Sequence, residues 1–174
     1  MTDLLPRLRR LLPPLLAVWS LGLAAEPART VILVRHAERA GGMAPEVGLS
    51  EAGGCRAQVL AGMLADAGVK HIYTSEVART QETAEPLAKK LGLRPEVVAA
   101  NNYDGLLAKL RSGAPGGVAL VVGHSNTVPE IIRRLGGGTV PAIADSEYDR
   151  LFVVTFTGEN QASVVTLHFS GCAR

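Results

Sequence analysis

Four side chains with cationic or hydrogen-bonding groups come just after predicted strands, at the points where those strands end. Arg35 and His36 directly follow the apolar run 31–34, Arg79 lies a few residues after a second strand, and His124 follows a third. Guanidinium groups match the oxygens of a phosphate in bidentate fashion, and an imidazole can act as a nucleophile. Since open α/β sheets keep their ligand sites at the carboxyl ends of strands, the pattern predicts an anion site at one sheet edge.

The elements that must position these groups are indicated by hydrophobic periodicity and by helix and turn signals. These predict strands at 30–34, 69–74, 96–100, 118–122, 151–156 and 163–169, and helices at 50–67, 77–91, 104–110 and 127–135. Repeated alternation of strands and helices favours a three-layer α/β/α sandwich with a mostly parallel central sheet. The last two strands are predicted to form a C-terminal hairpin, and Pro86 is expected to kink or break its helix.

The first 25 residues are predicted to be a signal peptide, and residues 26–174 a single globular domain. Three arginines precede an apolar run from Leu11 to Leu23, and small residues follow that run. This is the layout of a secretory leader, and the run is short for a membrane-spanning helix, which needs about 20 apolar residues. The sequence therefore predicts a periplasmic or secreted protein with no stable membrane insertion once the leader is removed, and an uncleaved membrane anchor is the less favoured alternative.

The net charge of the chain narrows the class of partner that is expected. The whole chain has a formal net charge of +2, and the predicted leader carries three arginines and one aspartate, so the remaining domain is close to neutral. Such a balance of charges gives no reason to expect a nucleic-acid partner.

Cys55 and Cys172 are the two cysteines. In an oxidising compartment they could form a disulfide, but free buried thiols are an equally good interpretation.

Four sequence blocks, in this order, resemble the motifs of the histidine phosphatase superfamily, which has the phosphoglycerate mutase-like fold. The blocks read LVRHAE, LSEAG, YTSEVARTQETAEPLA and VVGHSNT, and the resemblance extends from about residue 30 to about residue 170. The small size of the chain makes it similar to the short bacterial phosphatases of that superfamily. A mutase is not expected, because the extra segments of larger mutases are missing.

The resemblance implies a role for each of the four residues. His36 would be the nucleophile that carries the phosphoryl group as a phosphohistidine, while Arg35, Arg79 and His124 would bind the phosphoryl oxygens and stabilise their charge. Asn126, at the start of the following helix, is a further candidate phosphate ligand. The implied enzyme is a phosphoric monoester hydrolase of the histidine acid type that needs no metal and no cofactor.

A proton donor for the leaving group is harder to assign. Members of the superfamily usually supply a carboxylic acid, but Ser125 stands where one arrangement would place it, directly after the second histidine. Asp104 and Glu38 are the two candidates, and Asp104 could equally be the cap of its own helix. A site without this acid would favour substrates with good leaving groups, such as phosphoramidates or acyl phosphates, over alkyl esters.

Two other functions fit parts of the sequence. A non-catalytic module could use the same arginines and histidines to bind phosphate without turnover. A serine hydrolase could use Ser125 as nucleophile with Asp149 and His168, although Thr127 stands where a nucleophile elbow needs glycine. For the phosphatase, the expected substrates are a small-molecule or surface-glycan phosphomonoester or a phosphoprotein.

Overall fold

A computed structural model describes residues 29–112, 117–158 and 160–172. Within these residues the chain forms six strands and four helices. The strands are β1 (Thr30–Arg35), β2 (Val69–Thr74), β3 (Glu96–Val97), β4 (Val118–Gly123), β5 (Arg150–Gly158) and β6 (Gln161–His168). The helices are α1 (Glu51–Leu64), α2 (Ala78–Leu91), α3 (Tyr103–Ser112) and α4 (Thr127–Arg134). The predicted signal peptide at 1–25 lies outside the described residues.

The six strands form one sheet in the order β3-β2-β4-β1-β5-β6. The first four strands pair in parallel, whereas β5 and β6 run antiparallel and form the predicted C-terminal hairpin. The most apolar strand, β4, is flanked by β1 and β2, so it lies inside the sheet as its uniformly buried side chains require.

Two hydrophobic cores cover the two faces of the sheet. Alternate residues of β1 point to opposite faces, so that Leu33 packs with Ile132 of α4 and Val34 packs with Leu60 of α1. The core on the α1 side also contains Leu87 of α2, and the core on the α4 side contains Leu107 of α3. This is the three-layer sandwich that the sequence predicts.

Some element bounds differ from the predicted ones. Helix α2 continues through Pro86, so the predicted break is wrong. The proline removes one helical N–H, but Ala84, Leu87 and Ala88 on either side of it are buried and hold the helix against the core. Strand β3 contains only two residues, because the chain turns away after Val97 and begins α3 at Tyr103.

Cys55 and Cys172 are joined by a disulfide, with their Cα atoms 5.7 Å apart. The bond attaches the last described residues of the chain to α1. Among the helices that the structure describes, none has the length and apolar character needed to cross a membrane.

Candidate phosphoryl-transfer site

The pairing of β1 with β4 brings the two histidine motifs together. Arg35 is the register partner of Gly123, and one residue further on the backbone N–H of His36 donates to the carbonyl oxygen of Gly123 over 2.9 Å. The imidazole rings of His36 and His124 consequently lie 5.4 Å apart, measured between ring centroids. Parallel neighbours end at the same sheet edge, which is why motifs nearly ninety residues apart in sequence share one site.

His36 is buried and has both ring nitrogens engaged. Its Nδ1 lies 2.8 Å from the carbonyl oxygen of Ala37, and its Nε2 lies 3.1 Å from Nε of Arg79. A carbonyl can only accept and a guanidinium N–H can only donate, so Nδ1 carries the proton and Nε2 presents its lone pair. That lone pair is the nucleophilic group that phosphoryl transfer requires.

The surroundings of His36 keep the ring neutral. Burial lowers the pKa of His36 to about 4; the hydrogen bond to Ala37 opposes this shift, and the charges of Arg35 and Arg79 add to it. A neutral imidazole is nucleophilic, whereas a protonated one has no free lone pair. The site therefore holds its candidate nucleophile ready for attack across the physiological pH range.

Arg35 is fixed by the loop that precedes β5. Its Nη1 lies 2.8 to 3.0 Å from three backbone carbonyl oxygens, those of Ala144, Asp145 and Glu147. Its Nη2 is 3.6 Å from the exposed carboxylate of Asp145. The guanidinium also packs over the ring of Tyr148, at 4.3 Å from the ring centroid. These contacts hold one edge of Arg35 and leave its Nε without a hydrogen-bond partner in the described part of the chain.

Arg79, in the first turn of α2, approaches His36 from the other side. Its Nε donates to His36, and its buried Nη1 has no acceptor among the residues that the structure describes. Buried N–H groups are nearly always paired, so unpaired ones next to a nucleophile mark places where a ligand oxygen would bind. Together with Nε of Arg35, this gives the cluster two free guanidinium donors.

His124 is held by residues that follow β2 and β4. Its Nε2 lies 3.0 Å from Oγ of Ser75, and its backbone N–H donates to Oγ1 of Thr127 over 2.9 Å. Burial and the charge of Arg79 lower the pKa of His124, while the Glu76 carboxylate opposes the shift. A Cβ at Gly123 would lie 2.8 Å from Oγ1 of Thr127, the atom that accepts from the His124 N–H, so a larger residue would disturb this turn.

The loop after His36 is supported from two helices. The backbone N–H of Ala37 donates to Oγ1 of Thr83 in α2 over 3.0 Å. On the α1 side, a Cβ on Gly53 would lie only 2.0 Å from the carbonyl oxygen of Glu38. The block LSEAG thus has a structural reason: Ser50 caps α1 by accepting from the Gly53 N–H, and the glycine allows the helix to approach the nucleophile loop.

The two candidate proton donors do not join the cluster. Asp104 is almost fully exposed, and its carboxylate lies 3.2 Å from Nη1 of Arg134. Arg134 is the last residue of α4, whereas His124 precedes the first turn of that helix, so about 11 Å of helix separates the two ends. The ion pair with Arg134 thus disfavours Asp104 as the proton donor, although Asn102 and Tyr103 just before it line a cavity with His124. Its assignment stays a prediction.

Glu38 follows the nucleophile motif but faces α1. Arg56 donates to both of its carboxylate oxygens, with distances of 2.7 to 3.0 Å. Although burial favours the neutral acid, the hydrogen bonds from Arg56 hold the pKa of Glu38 below its usual range. A lowered pKa and a pairing with Arg56 disfavour Glu38 as the acid, and its assignment stays a prediction.

Asn126 and Ser125 lie at the start of α4, next to His124. Asn126 is the N-cap residue and is exposed, but its side chain makes no capping hydrogen bond. Its amide can therefore turn toward a ligand without loss of a helix contact. Its assignment as a phosphate ligand stays a prediction.

The serine-hydrolase arrangement does not form. His168 and Asp149 do pair, with 2.9 Å between Nδ1 and Oδ2, but His168 ends β6 and Ser125 follows β4. Strands β1 and β5 lie between β4 and β6, so the two residues are three strand spacings apart, about 14 Å. Ser125 therefore has no histidine base from that pair, which argues against this alternative.

Two residues of the site were not predicted from the sequence. Ser75, bonded to His124, stands in the block YTSEVARTQETAEPLA, and its position directly after a strand is the signal that could have identified it. The other is Tyr148, which precedes β5 and whose ring centroid is 6.2 Å from that of His36. Across the described residues no group of three or more His, Cys, Asp or Glu is placed to hold a metal ion.

Comparison with known proteins confirms the resemblance that the motifs predict. Residues 31–100, which contain Arg35, His36 and Arg79, match the model of the histidine phosphatase superfamily (branch 1). The recognition of this chain as a histidine phosphatase superfamily protein with the phosphoglycerate mutase-like fold is thus confirmed.

One curated relative and several solved structures are similar. The PE-PGRS family protein PE_PGRS11 of Mycobacterium tuberculosis is 34% identical in an alignment of 141 residues, and the match covers 74% of this chain and 23% of that protein. The chain thus spans about a quarter of the length of this relative.

Among solved structures, the protein histidine phosphatase SixA complexed with tungstate has a TM-score of 0.67 at 19% identity, covering 80% of this chain and 96% of SixA. A mycobacterial glucosyl-3-phosphoglycerate phosphatase has a TM-score of 0.55 at 13% identity, covering 83% of this chain and all of that one. The phosphoglycerate mutase of Plasmodium falciparum gives 0.55 at 19% identity, with coverages of 82% and 91%. At these identities the structures establish the fold.

Proposed function

We propose that the protein is a phosphatase that transfers the phosphoryl group of a phosphomonoester or phosphoramidate to Nε2 of His36 and then to water. One observation carries the proposal: the lone pair of a neutral, buried imidazole faces a guanidinium pair that has two unsatisfied N–H donors. A phosphoryl group placed there would receive hydrogen bonds from Arg35 and Arg79 and lie within reach of Nε2.

The first step forms the bond from Nε2 to phosphorus and breaks the bond from phosphorus to the leaving atom. The N–H of Arg79 that now donates to Nε2 turns to a phosphoryl oxygen, which frees the lone pair. Arg35, Arg79 and His124 stabilise the charge on the three equatorial oxygens. In the second step water attacks the phosphorus, the bond from phosphorus to Nε2 breaks, and its electron pair returns to Nε2. Unless a group of the protein accepts it, the proton that the water gives up leaves with the inorganic phosphate.

The substrate class follows from the leaving group. Both sequence-derived carboxylic acids are held away from the cluster by Arg134 and Arg56. We therefore propose that substrates with good leaving groups react fastest, phosphoramidates such as phosphohistidine among them. The fold shared with a protein histidine phosphatase is compatible with this preference.

We further propose that the protein acts outside the cytoplasm, in the periplasm or after secretion. The disulfide between Cys55 and Cys172 supports this, because such bonds persist in oxidising compartments. The localisation depends on the predicted signal peptide and is tested by identifying the N-terminal residue of protein isolated from its native cell envelope.

Phosphate release by the wild-type protein and by His36→Ala tests the proposed activity. The substrates are p-nitrophenyl phosphate and a phosphohistidine peptide, and His71→Ala is the matched control because His71 is exposed at the other end of β2. We expect release by the wild type and the control, and none by His36→Ala. Binding of inorganic phosphate without any release would instead support the non-catalytic anion-binding module.

A further inference from the structure

Tyr148 borders the cluster but has no role in the proposed chemistry so far. Its ring stacks on the guanidinium of Arg35, and the ring centroid lies 6.2 Å from that of His36. The residue is half-buried, so one part of it packs against the cluster while another remains accessible. It comes directly after the loop whose carbonyls hold Arg35, which fixes its backbone next to the site.

By geometry Tyr148 adjoins two of the four residues of the cluster, Arg35 and His36. Burial lowers the pKa of Arg79, as do the charges of Arg39 and Arg35, and the phenol of Tyr148 opposes that shift. The Tyr148 hydroxyl is a proton-bearing group at a site whose predicted carboxylic acids are both paired elsewhere.

We propose that Tyr148 contacts the substrate and that its hydroxyl protonates the leaving atom; this inference rests on the proposed function. As the bond from phosphorus to the leaving oxygen breaks, the phenolic proton passes to that oxygen. The phenolate that remains is stabilised by the guanidinium groups of Arg35 and Arg79. In the second step the phenolate takes a proton from the attacking water, the bond from phosphorus to Nε2 breaks, and the phenol is restored.

Asp145 is the rival proton donor, since its carboxylate lies 3.6 Å from Nη2 of Arg35. Its side chain is 91% exposed to solvent, whereas the Tyr148 ring packs against Arg35 beside His36. Two variants distinguish these candidate proton donors. Tyr148→Phe removes only a hydroxyl, and Asp145→Asn removes only a charge.

The test uses two substrates that differ in their need for a proton. The p-nitrophenolate ion leaves readily without one, whereas the alkoxide of glycerol 2-phosphate does not. Tyr148→Phe is expected to lower kcat/KM for glycerol 2-phosphate by about 100-fold and for p-nitrophenyl phosphate by less than about 3-fold. The phenylalanine ring keeps its position over Arg35, so an altered fold is not expected, and circular dichroism checks this.

Tyr103→Phe is the comparison variant, because the Tyr103 ring lies under Arg134 in the same kind of contact and lines a cavity with His124. It should leave the ratio of the two rates unchanged. Equal loss for both substrates in Tyr148→Phe, no loss, or a selective loss in Asp145→Asn instead would overturn the proposal. So would a wild type that hydrolyses p-nitrophenyl phosphate but not glycerol 2-phosphate. A wild type inactive on every phosphate, phosphohistidine included, would contradict the proposed function itself.

Discussion

Nε of Arg79 lies 3.1 Å from Nε2 of His36, so the guanidinium that would bind the phosphoryl group also orients the lone pair that would attack it. This contact fixes which nitrogen is the nucleophile. The carbonyl of Ala37 on the opposite nitrogen completes the assignment. Binding of an anion must break the contact, which couples occupation of the site to release of the nucleophile.

The protonation of His36 is the first prediction. Its pKa of about 4 in the folded protein lies below the ordinary histidine value, so the ring should titrate near pH 4. Below pH 6.5 the unfolded chain takes up a proton that the folded one does not, so this group lowers stability as pH falls from about 6.5 to about 4. The full effect is about 3 kcal/mol.

NMR titration of the histidine ring resonances measures this pKa directly. The spectrum of His36→Ala identifies the resonance of this ring. A His36 midpoint at or above its ordinary value of 6.5 would contradict the neutral, buried nucleophile.

Substitution of Arg79 is the second prediction. Arg79→Lys keeps the positive charge but loses the Nε–H that orients His36 and the second free donor at Nη1. We expect phosphate and tungstate affinity to fall by about 10- to 100-fold, because one or two charge-assisted hydrogen bonds are lost. Isothermal titration calorimetry measures this, with Arg94→Lys on the exposed surface as the control. Unchanged affinity would mean that Arg79 acts as a point charge alone.

Glu38 supplies the third prediction. Glu38→Gln removes a half-buried ion pair, so the free energy of unfolding should fall by about 1–3 kcal/mol. Since the pKa of Glu38 is depressed in the folded protein, this stability should be present above the unfolded carboxylate value and be lost as the pH falls.

The rate ratio between p-nitrophenyl phosphate and glycerol 2-phosphate should not change in Glu38→Gln, because the carboxylate does not protonate the leaving group. Denaturant unfolding and steady-state kinetics on the same preparation separate the two effects. A selective loss of glycerol 2-phosphate hydrolysis would restore Glu38 as the acid.

Two adjacent glycines of α1 give the fourth prediction. A Cβ at Gly53 would meet the carbonyl oxygen of Glu38 at 2.0 Å, whereas a Cβ at Gly54 would meet no atom within 4 Å. Gly53→Ala should displace α1 from the nucleophile loop and lower stability by about 2 kcal/mol or more. Gly54→Ala should raise it by about 0.5–1 kcal/mol. Thermal unfolding compares them; equal effects would mean that the close approach is not constrained.

Much of the architecture and four residues of the site could be predicted from the sequence, because both depend on local patterns. The apolar run 31–34 predicts a buried strand, and the parallel neighbours of such a strand deliver Arg35, His36 and His124 to one edge. The pairing of Glu38 with Arg56 could not be predicted, since it depends on how closely α1 approaches the loop. The exposure of Asp104 likewise depends on the packing of α3 against α4.

The contacts between the loop 144–147 and Arg35 could not be predicted from the sequence either. Three carbonyls of the loop hold Arg35 from more than one hundred residues away, and no periodicity marks them. At Pro86 the sequence gives a strong local signal for helix interruption, and the predicted break is wrong. Burial of the residues around Pro86 outweighs that signal.

The central claim is that His36 carries the phosphoryl group, and trapping the phosphoenzyme tests it most directly. Rapid mixing with a phosphohistidine peptide or p-nitrophenyl phosphate, a quench at alkaline pH that preserves phosphohistidine, and peptide mass spectrometry locate the modified residue. The account predicts phosphate on His36 that turns over with substrate. Phosphate on another residue, or steady turnover with undiminished rate in His36→Ala, would contradict it.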